Sequence, residues 1–150
     1  MVSVRFKTAS LVPSPRLLDS SPIDPIIEPM SQNGRVVFVV DDETIIAKTL
    51  AMILSNAGFK AVAFDDPLDA LEAAKTSVPN LLITDVVMPK MTGIELAIQF
   101  RHAYPESKVL LFSGQASTAD MLEKAHQEGY DFDILAKPIH PADLLAKLRD

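Results

Sequence analysis

The sequence predicts an α/β fold in which a five-stranded parallel sheet is covered by helices on both faces, a three-layer αβα arrangement. Apolar runs of strand length alternate five times with segments of helical period between residues 35 and 149. These runs are almost continuously apolar, which is typical of strands that are buried on both faces. Five strand–helix units joined by right-handed crossovers favour the doubly wound, flavodoxin-like strand order 2-1-3-4-5.

The predicted elements follow one another in strict alternation. The apolar runs predict strands at RVVFVV (35–40), AVAF (61–64), NLLIT (80–84), KVLLF (108–112) and FDILA (132–136). The helical periods predict helices over residues 44–58, 65–75, 92–102, 117–129 and 141–149. Caps or prolines mark four helix starts and glycines mark two ends: Asp66–Pro67, Thr92 with Glu95 in a capping box, Ser117, Pro141, Gly58 and Gly129.

The first 33 residues predict a disordered Pro/Ser-rich tail ahead of a folded domain over residues 34–150. Five of the eleven prolines fall in this tail, and no strand or helix period is sustained there. Two other interpretations stay open. The first 18 residues lack acidic side chains, as a targeting peptide does, and translation could instead start at Met30.

The composition limits the classes of protein to which the chain can belong. Its 150 residues suffice for one domain and include no cysteine, so disulfides and thiolate metal sites are excluded. The net charge of −6, all of it in residues 34–150, disfavours binding to nucleic acid. No apolar run approaches the roughly 18–20 residues of a membrane span, so we expect a cytoplasmic protein without membrane association.

The segments after the first, third, fourth and fifth predicted strands begin with polar side chains. Asp41-Asp42-Glu43 follow the first strand, Asp85 the third, Ser113-Gly114 the fourth and Lys137-Pro138 the fifth. Because the carboxyl ends of parallel strands share one edge of a sheet, we expect these side chains to converge.

Clustered carboxylates are costly unless a cation binds them. Two carboxylates about 4–5 Å apart repel by roughly 3–4 kcal/mol at an effective dielectric near 20. Hard oxygen ligands without Cys or His favour Mg²⁺ that keeps several waters. A metal with open positions beside an ammonium and a hydroxyl suits a phosphoryl group, and one carboxylate could accept it as an acyl phosphate.

Five motifs in order along the chain resemble the receiver domains of two-component response regulators. They are VVDDE, DVVMPKMTG, LFSG, GYDFD and AKP, and the resemblance covers roughly residues 35–149. It implies that Asp85 is the phosphoacceptor and that Asp42 and Asp85 ligate Mg²⁺ directly. It also implies that Asp41 acts mostly through water and that the backbone carbonyl of Val87 is a further ligand.

The same resemblance assigns roles to the fourth and fifth strand ends. Ser113 would bind a phosphoryl oxygen, Lys137 would pair with the phosphoryl group, and the Lys137–Pro138 peptide is expected to be cis, as it is in the family. The chain would be a stand-alone receiver rather than a turnover enzyme. Its partners would be a sensor histidine kinase or phosphotransfer protein and an output protein that the sequence does not identify.

Several positions depart from the receiver pattern. Thr92 stands where the family often has Asp, but it still caps a helix. Ile134 replaces the usual aromatic switch residue and is expected to pack as an ordinary strand residue. Val87 has no polar atom to steer a hydrolytic water, a role that Gln115 could take. The last predicted helix is only about two and a half turns long.

Other functions remain open from the residues alone. Asp41 and Asp42 could merely cap the helix at Thr44, and Ser113 and Lys137 could be ordinary loop residues. A phosphatase of the haloacid-dehalogenase type would share the chemistry, but its nucleophile lies in a D-x-D motif after an early strand. A flavodoxin-like carrier would need a phosphate cradle where Asp41 and Asp42 would repel it, and a scaffold without phosphorylation would not need the acids at all.

Overall fold

A computed structural model describes residues 34–114 and 118–149 and contains the predicted five-stranded parallel sheet. The strand order is β2-β1-β3-β4-β5, which confirms the order 2-1-3-4-5. The strands are β1 (Val36–Val40), β2 (Lys60–Phe64), β3 (Leu81–Asp85), β4 (Lys108–Ser113) and β5 (Asp133–Ala136). The predicted tail, residues 1–33, lies outside the described residues.

Five helices cover the two faces of this sheet. They are α1 (Thr44–Asn56), α2 (Pro67–Ala74), α3 (Gly93–Ala103), α4 (Thr118–Gln127) and α5 (Pro141–Arg149). Successive side chains of β1 enter opposite cores because a strand alternates its faces. Phe38 packs in the core beneath α2, α3 and α4, whereas Val37 and Val39 pack in the core beneath α1 and α5. The three-layer prediction is therefore confirmed.

Most of the predicted helix signals act as expected. Asp66 caps α2 by accepting a 2.8 Å hydrogen bond from the backbone N–H of Leu68. Thr92 and Glu95 form both hydrogen bonds of the capping box, at 2.8 and 3.1 Å. Gly58 and Gly129 have φ of +105° and +95°, which explains why glycine ends α1 and follows α4. Ser117 lies outside the described residues.

The expectation for Ile134 is wrong. Its side chain remains 39% exposed instead of packing as an ordinary strand residue. The reason is that β5 is an edge strand, which pairs with β4 alone. Strand β3 has the opposite surroundings: it lies between β1 and β4, and all five of its residues are buried.

None of the helices in residues 34–114 and 118–149 is both long and apolar enough to cross a membrane.

Candidate functional site

Three carboxylates meet where β1 and β3 end. Asp41 directly follows β1 and is fully buried, Asp42 beside it is exposed, and Asp85 is the last residue of β3 and is buried. The sheet order makes β1 and β3 neighbours. One oxygen from each of these carboxylates therefore lies within 4.8 Å of the other two.

Lys137, which follows β5, brings a cation to the carboxylates. Its Nζ lies 3.3 Å from Asp85 Oδ1 and 3.5 Å from Asp41 Oδ2. The ammonium also lies 5.0 Å from the ring centroid of Phe112, a buried residue of β4. The backbone N–H of Lys137 donates to the carbonyl of Ser113 at 3.0 Å, which holds the end of β5 against the end of β4. The Lys137–Pro138 peptide is cis, as the resemblance implied.

Two hydroxyl groups border the same site. Ser113 is the last residue of β4, and its Oγ lies 2.5 Å from Oγ1 of Thr118, the buried first residue of α4. Sequence reasoning did not identify Thr118, because no spacing rule predicts a contact between its hydroxyl and that of Ser113. A surface depression of about 140 Å³ is lined by Asp85, Val87, Ser113, Gly114, Thr118 and Lys137. A space of this size beside Asp85 suits a small group such as a phosphoryl.

Gly93 permits a close backbone contact with the end of β3. A Cβ added at this position would lie 1.9 Å from the carbonyl oxygen of Asp85, a distance that no real Cβ tolerates. The N–H of Gly93 also donates to the carbonyl of Val86 at 2.8 Å. Gly93, the first residue of α3, therefore contacts the backbone of Asp85 and Val86 directly.

An ion pair that the sequence reasoning missed supports the loop after Asp85. Lys90 places its Nζ 2.5 Å from Oδ2 of Asp66, the residue that caps α2. Lys90 itself has a φ of +67°, a conformation that non-glycine residues rarely adopt. The pair lowers the pKa of Asp66, mainly through the hydrogen bond from Lys90, and joins the β3–α3 loop to the start of α2.

Burial dominates the electrostatics of the two inner carboxylates. It raises the pKa of Asp41 to about 6, and the negative charge of Asp85 adds to this rise. Burial also raises the pKa of Asp85, although the nearby Lys137 ammonium favours the ionised form. Both shifts mean that ionising these two carboxyls costs more free energy in the folded protein than in water.

The donor set fits a hard divalent cation. Asp41 Oδ1 accepts a 2.9 Å hydrogen bond from the N–H of Glu43, but Asp41 Oδ2 is buried without any hydrogen-bond partner in the described residues. Lys137 Nζ is 3.5 Å from that oxygen, an ionic contact that does not amount to a hydrogen bond. A buried carboxylate oxygen that receives no hydrogen bond, beside two other carboxylates, suits an oxygen-loving ion such as Mg²⁺.

The family model for the response regulator receiver domain matches residues 37–149. The chain belongs to the response regulator receiver family. The match runs from Val37, the second residue of β1, to Arg149, the last residue of α5. Receiver domains act as phosphoacceptors rather than as classical turnover enzymes, and they generally bind Mg²⁺ at an acidic pocket. Other members of this family interact with histidine kinases or phosphotransfer proteins.

The curated relatives differ in how much of their own length this chain covers. The chain is 34% identical to the transcriptional regulatory protein CreB of Escherichia coli over 113 residues, which are 75% of this chain and 48% of CreB. It therefore spans only about half of that relative. It is 31% identical to the response regulator receiver protein CpdR of Brucella abortus over 112 residues, 75% of this chain and 92% of CpdR.

Among solved structures, the chemotaxis protein CheY4 of Vibrio cholerae superposes with a TM-score of 0.67 at 28% identity. That comparison covers 77% of this chain and 97% of CheY4. The signal receiver domain of an HD domain-containing protein from Pseudomonas fluorescens gives a TM-score of 0.71 at 26% identity, covering 78% of this chain and 93% of that domain.

Proposed function

We propose that this chain accepts a phosphoryl group on Asp85 from a sensor histidine kinase or phosphotransfer protein in the cytoplasm. The observation that carries this proposal is the convergence of Asp85 with two further carboxylates and an ammonium, Lys137 Nζ lying 3.3 Å from Asp85 Oδ1. Each of these groups stands at the carboxyl end of a strand, where open parallel sheets bind their ligands.

In the proposed reaction, a carboxylate oxygen of Asp85 attacks the phosphorus of a phosphohistidine on the donor protein. A P–O bond forms as the P–N bond breaks, and the donor imidazole leaves with the bonding electron pair. Asp85 must be ionised to attack, and the Lys137 ammonium favours that form against the effect of burial. The product is an aspartyl phosphate at the tip of β3.

Other residues of the chain would bind the incoming group and the metal. Asp42 and Asp85 would hold Mg²⁺ directly, Asp41 mostly through water, and the Val87 carbonyl would complete the protein ligands. Bound Mg²⁺ supplies charge neutralisation at the phosphoryl oxygens. Lys137 would pair with the phosphoryl group.

The response to phosphorylation would start at Ser113. Its hydroxyl lies 2.5 Å from that of Thr118, so a phosphoryl oxygen that recruits Ser113 would compete with its contact to the first residue of α4. Ile134 cannot replace an aromatic switch residue because it has neither a ring nor a hydroxyl. We therefore place the first conformational step at the β4–α4 junction rather than in the Ile134 side chain.

The signal would leave the receiver through protein–protein contact with an output protein, as one step of a phosphorelay. The similarity to the receiver protein CpdR, of which the aligned region covers 92%, supports a receiver that acts without an attached output domain. The net charge of −6 favours a protein rather than nucleic acid as that partner.

The test is labelling by a small phosphodonor, such as acetyl phosphate, with and without Mg²⁺. We expect Mg²⁺-dependent addition of one phosphoryl group, measured by intact-protein mass spectrometry. Asp85→Asn should remove the labelling, whereas Asp143→Asn, the same change at an exposed position of α5, should keep it.

Two results would overturn the proposal. The first is full labelling of Asp85→Asn, which would place the phosphoryl group elsewhere. The second is sustained turnover of phosphate esters by the wild-type protein, which would favour the phosphatase alternative.

A further inference from the structure

A second cavity lies at the amino ends of the strands, whereas Asp85 lies at their carboxyl ends. It has a volume of about 450 Å³, within the range of roughly 300–1,000 Å³ that is usual for small-molecule sites. Arg35 precedes β1, whereas Leu81 and Lys108 are the first residues of β3 and β4. The cavity shares no lining residue with the depression beside Asp85.

Three apolar core side chains line part of this cavity, and we call them its apolar floor. They are Phe59, Leu81 and Leu110, and each is at least nine-tenths buried. All three belong to the core beneath α1 and α5. An apolar part of a ligand that contacted these side chains would remove their remaining exposed apolar area from water, which would add to the affinity that the charged groups provide.

Cations predominate among the charged residues that line the cavity. They are four basic residues, Arg35, Arg101, Lys108 and Lys147, and two acidic residues, Asp131 and Asp133. The local balance is therefore +2, on a chain whose net charge is −6. A ligand that neutralised this balance would carry about two negative charges.

The contacts of these cations leave charge available for a ligand. Within residues 34–114 and 118–149, Arg35, Lys108 and Lys147 make no ion pair with a carboxylate. Arg101 donates to the backbone carbonyl of Asp131 at 3.3 Å, a neutral acceptor, and the Asp131 carboxylate contacts His126 instead.

Helix dipoles explain only part of this arrangement. Arg101 and Lys147 lie in the last turns of α3 and α5, where a cation is favourable in any protein. Arg35 and Lys108 lie at strand starts, where no dipole favours them. Their convergence over an apolar floor therefore needs a different reason.

We infer that this cavity binds a small organic dianion with an apolar body, a phosphate monoester or a dicarboxylate. Its apolar part would cover Phe59, Leu81 and Leu110, and its anionic groups would pair with Arg35, Lys108 and Lys147. The inference is independent of phosphorylation at Asp85, because the two sites lie at opposite ends of the strands.

The test uses the ¹⁵N-labelled full chain in Mg²⁺-free, low-salt buffer and follows its amide chemical shifts. The probes are adenosine monophosphate, phthalate, inorganic phosphate and adenosine, each added to roughly 10 mM, which detects dissociation constants into the millimolar range. We expect saturable shifts near Leu81, Lys108 and Leu110 with adenosine monophosphate, phthalate or both. Whichever binds identifies the anionic group as phosphate, carboxylate or either.

Matched charge reversals decide whether the cavity holds the probe. Lys108→Glu and Lys147→Glu should each weaken binding about tenfold or more, while Lys124→Glu, the same change on α4, should leave it unchanged. All three positions are exposed, so the folded spectrum should be retained. Asp85→Asn should bind as the wild type does, which separates this inference from the proposed phosphorylation.

Three outcomes would overturn the inference. Failure of both organic dianions to saturate these amides would show that the cavity is no site for them. If inorganic phosphate bound as tightly as adenosine monophosphate, the apolar floor would contribute nothing to affinity. If adenosine bound as tightly as adenosine monophosphate, the cations would contribute nothing. If Lys124→Glu lost as much affinity as Lys108→Glu, the overall charge of the protein rather than the cavity would explain the loss.

Discussion

Replacing Asp41 by Asn should stabilise the metal-free protein, because Asp41 is a buried carboxylate whose charge the fold holds at a cost. Its folded-state pKa is about 6 against an ordinary value of 3.8. A shift of this size corresponds to about 3 kcal/mol between the protonated and ionised forms in the folded state. Asn keeps the shape and the oxygen that accepts from Glu43, but it carries no charge. The expected gain is therefore about 1–3 kcal/mol at pH 7.5, because the pKa of about 6 already includes the attraction to Lys137.

The pH dependence of this gain has a definite sign. A carboxyl whose pKa is raised by folding stabilises the fold below its unfolded pKa of 3.8, and this contribution is lost as the pH rises through about 6. The advantage of Asp41→Asn should thus be largest above pH 6 and should shrink toward pH 4. Urea denaturation in EDTA at several pH values measures it, with Asp143→Asn as the exposed control.

Added Mg²⁺ should reverse the ranking of the two proteins. An ion that binds only the folded wild type stabilises it by mass action, whereas Asp41→Asn lacks one of the carboxylates of the cluster. If Asp41→Asn were equal to or less stable than the wild type in EDTA at pH 7.5, then burial would not penalise this carboxylate as we infer. The electrostatic basis of the metal site would then have to be abandoned.

Three further predictions test other contacts. Gly93→Ala should destabilise the protein by about 1–3 kcal/mol in urea denaturation, although Ala favours helices, because its Cβ would meet a backbone oxygen at 1.9 Å; a stability gain would contradict this contact. The Asp131 carboxylate raises the pKa of His126, so an NMR titration should show a midpoint above 6.5 that falls in Asp131→Asn, and this contact should weaken as the pH rises through that midpoint; an unchanged midpoint would refute the pairing. Lys90→Met should raise the carboxyl pKa of Asp66 toward its ordinary value in a ¹³C titration, and no change would mean that the ion pair does not form in solution.

The sheet and its helices could be predicted from local sequence because each signal acts over a few residues. Apolar runs of strand length identify β1, β3 and β4, and the capping box of Thr92 and Glu95 identifies the start of α3. Ile134 is less buried than the residues of the central strands because β5 is an edge strand. The periodicity of the sequence does not distinguish an edge strand from a central one.

The clustering of the acids could also be predicted, since strand order alone brings the ends of β1 and β3 together. The contacts that stabilise the site could not be predicted, because they depend on how the elements pack together. Lys90 reaches Asp66 across 24 positions, and Ser113 at the end of β4 meets Thr118 at the start of α4. Neither pair follows a local spacing rule.

By itself, the sequence determined the alternation of elements, the strand order and the placement of Asp41, Asp85, Ser113 and Lys137 at strand ends. Only the tertiary structure decided that Asp41 Oδ2 is buried without a hydrogen bond while Lys137 Nζ lies 3.3 Å from Asp85. Only the tertiary structure, likewise, gathered four cations around one cavity at the amino ends of the strands. Element identity depends on short-range patterns, whereas burial, distance and charge balance depend on how all the elements pack together.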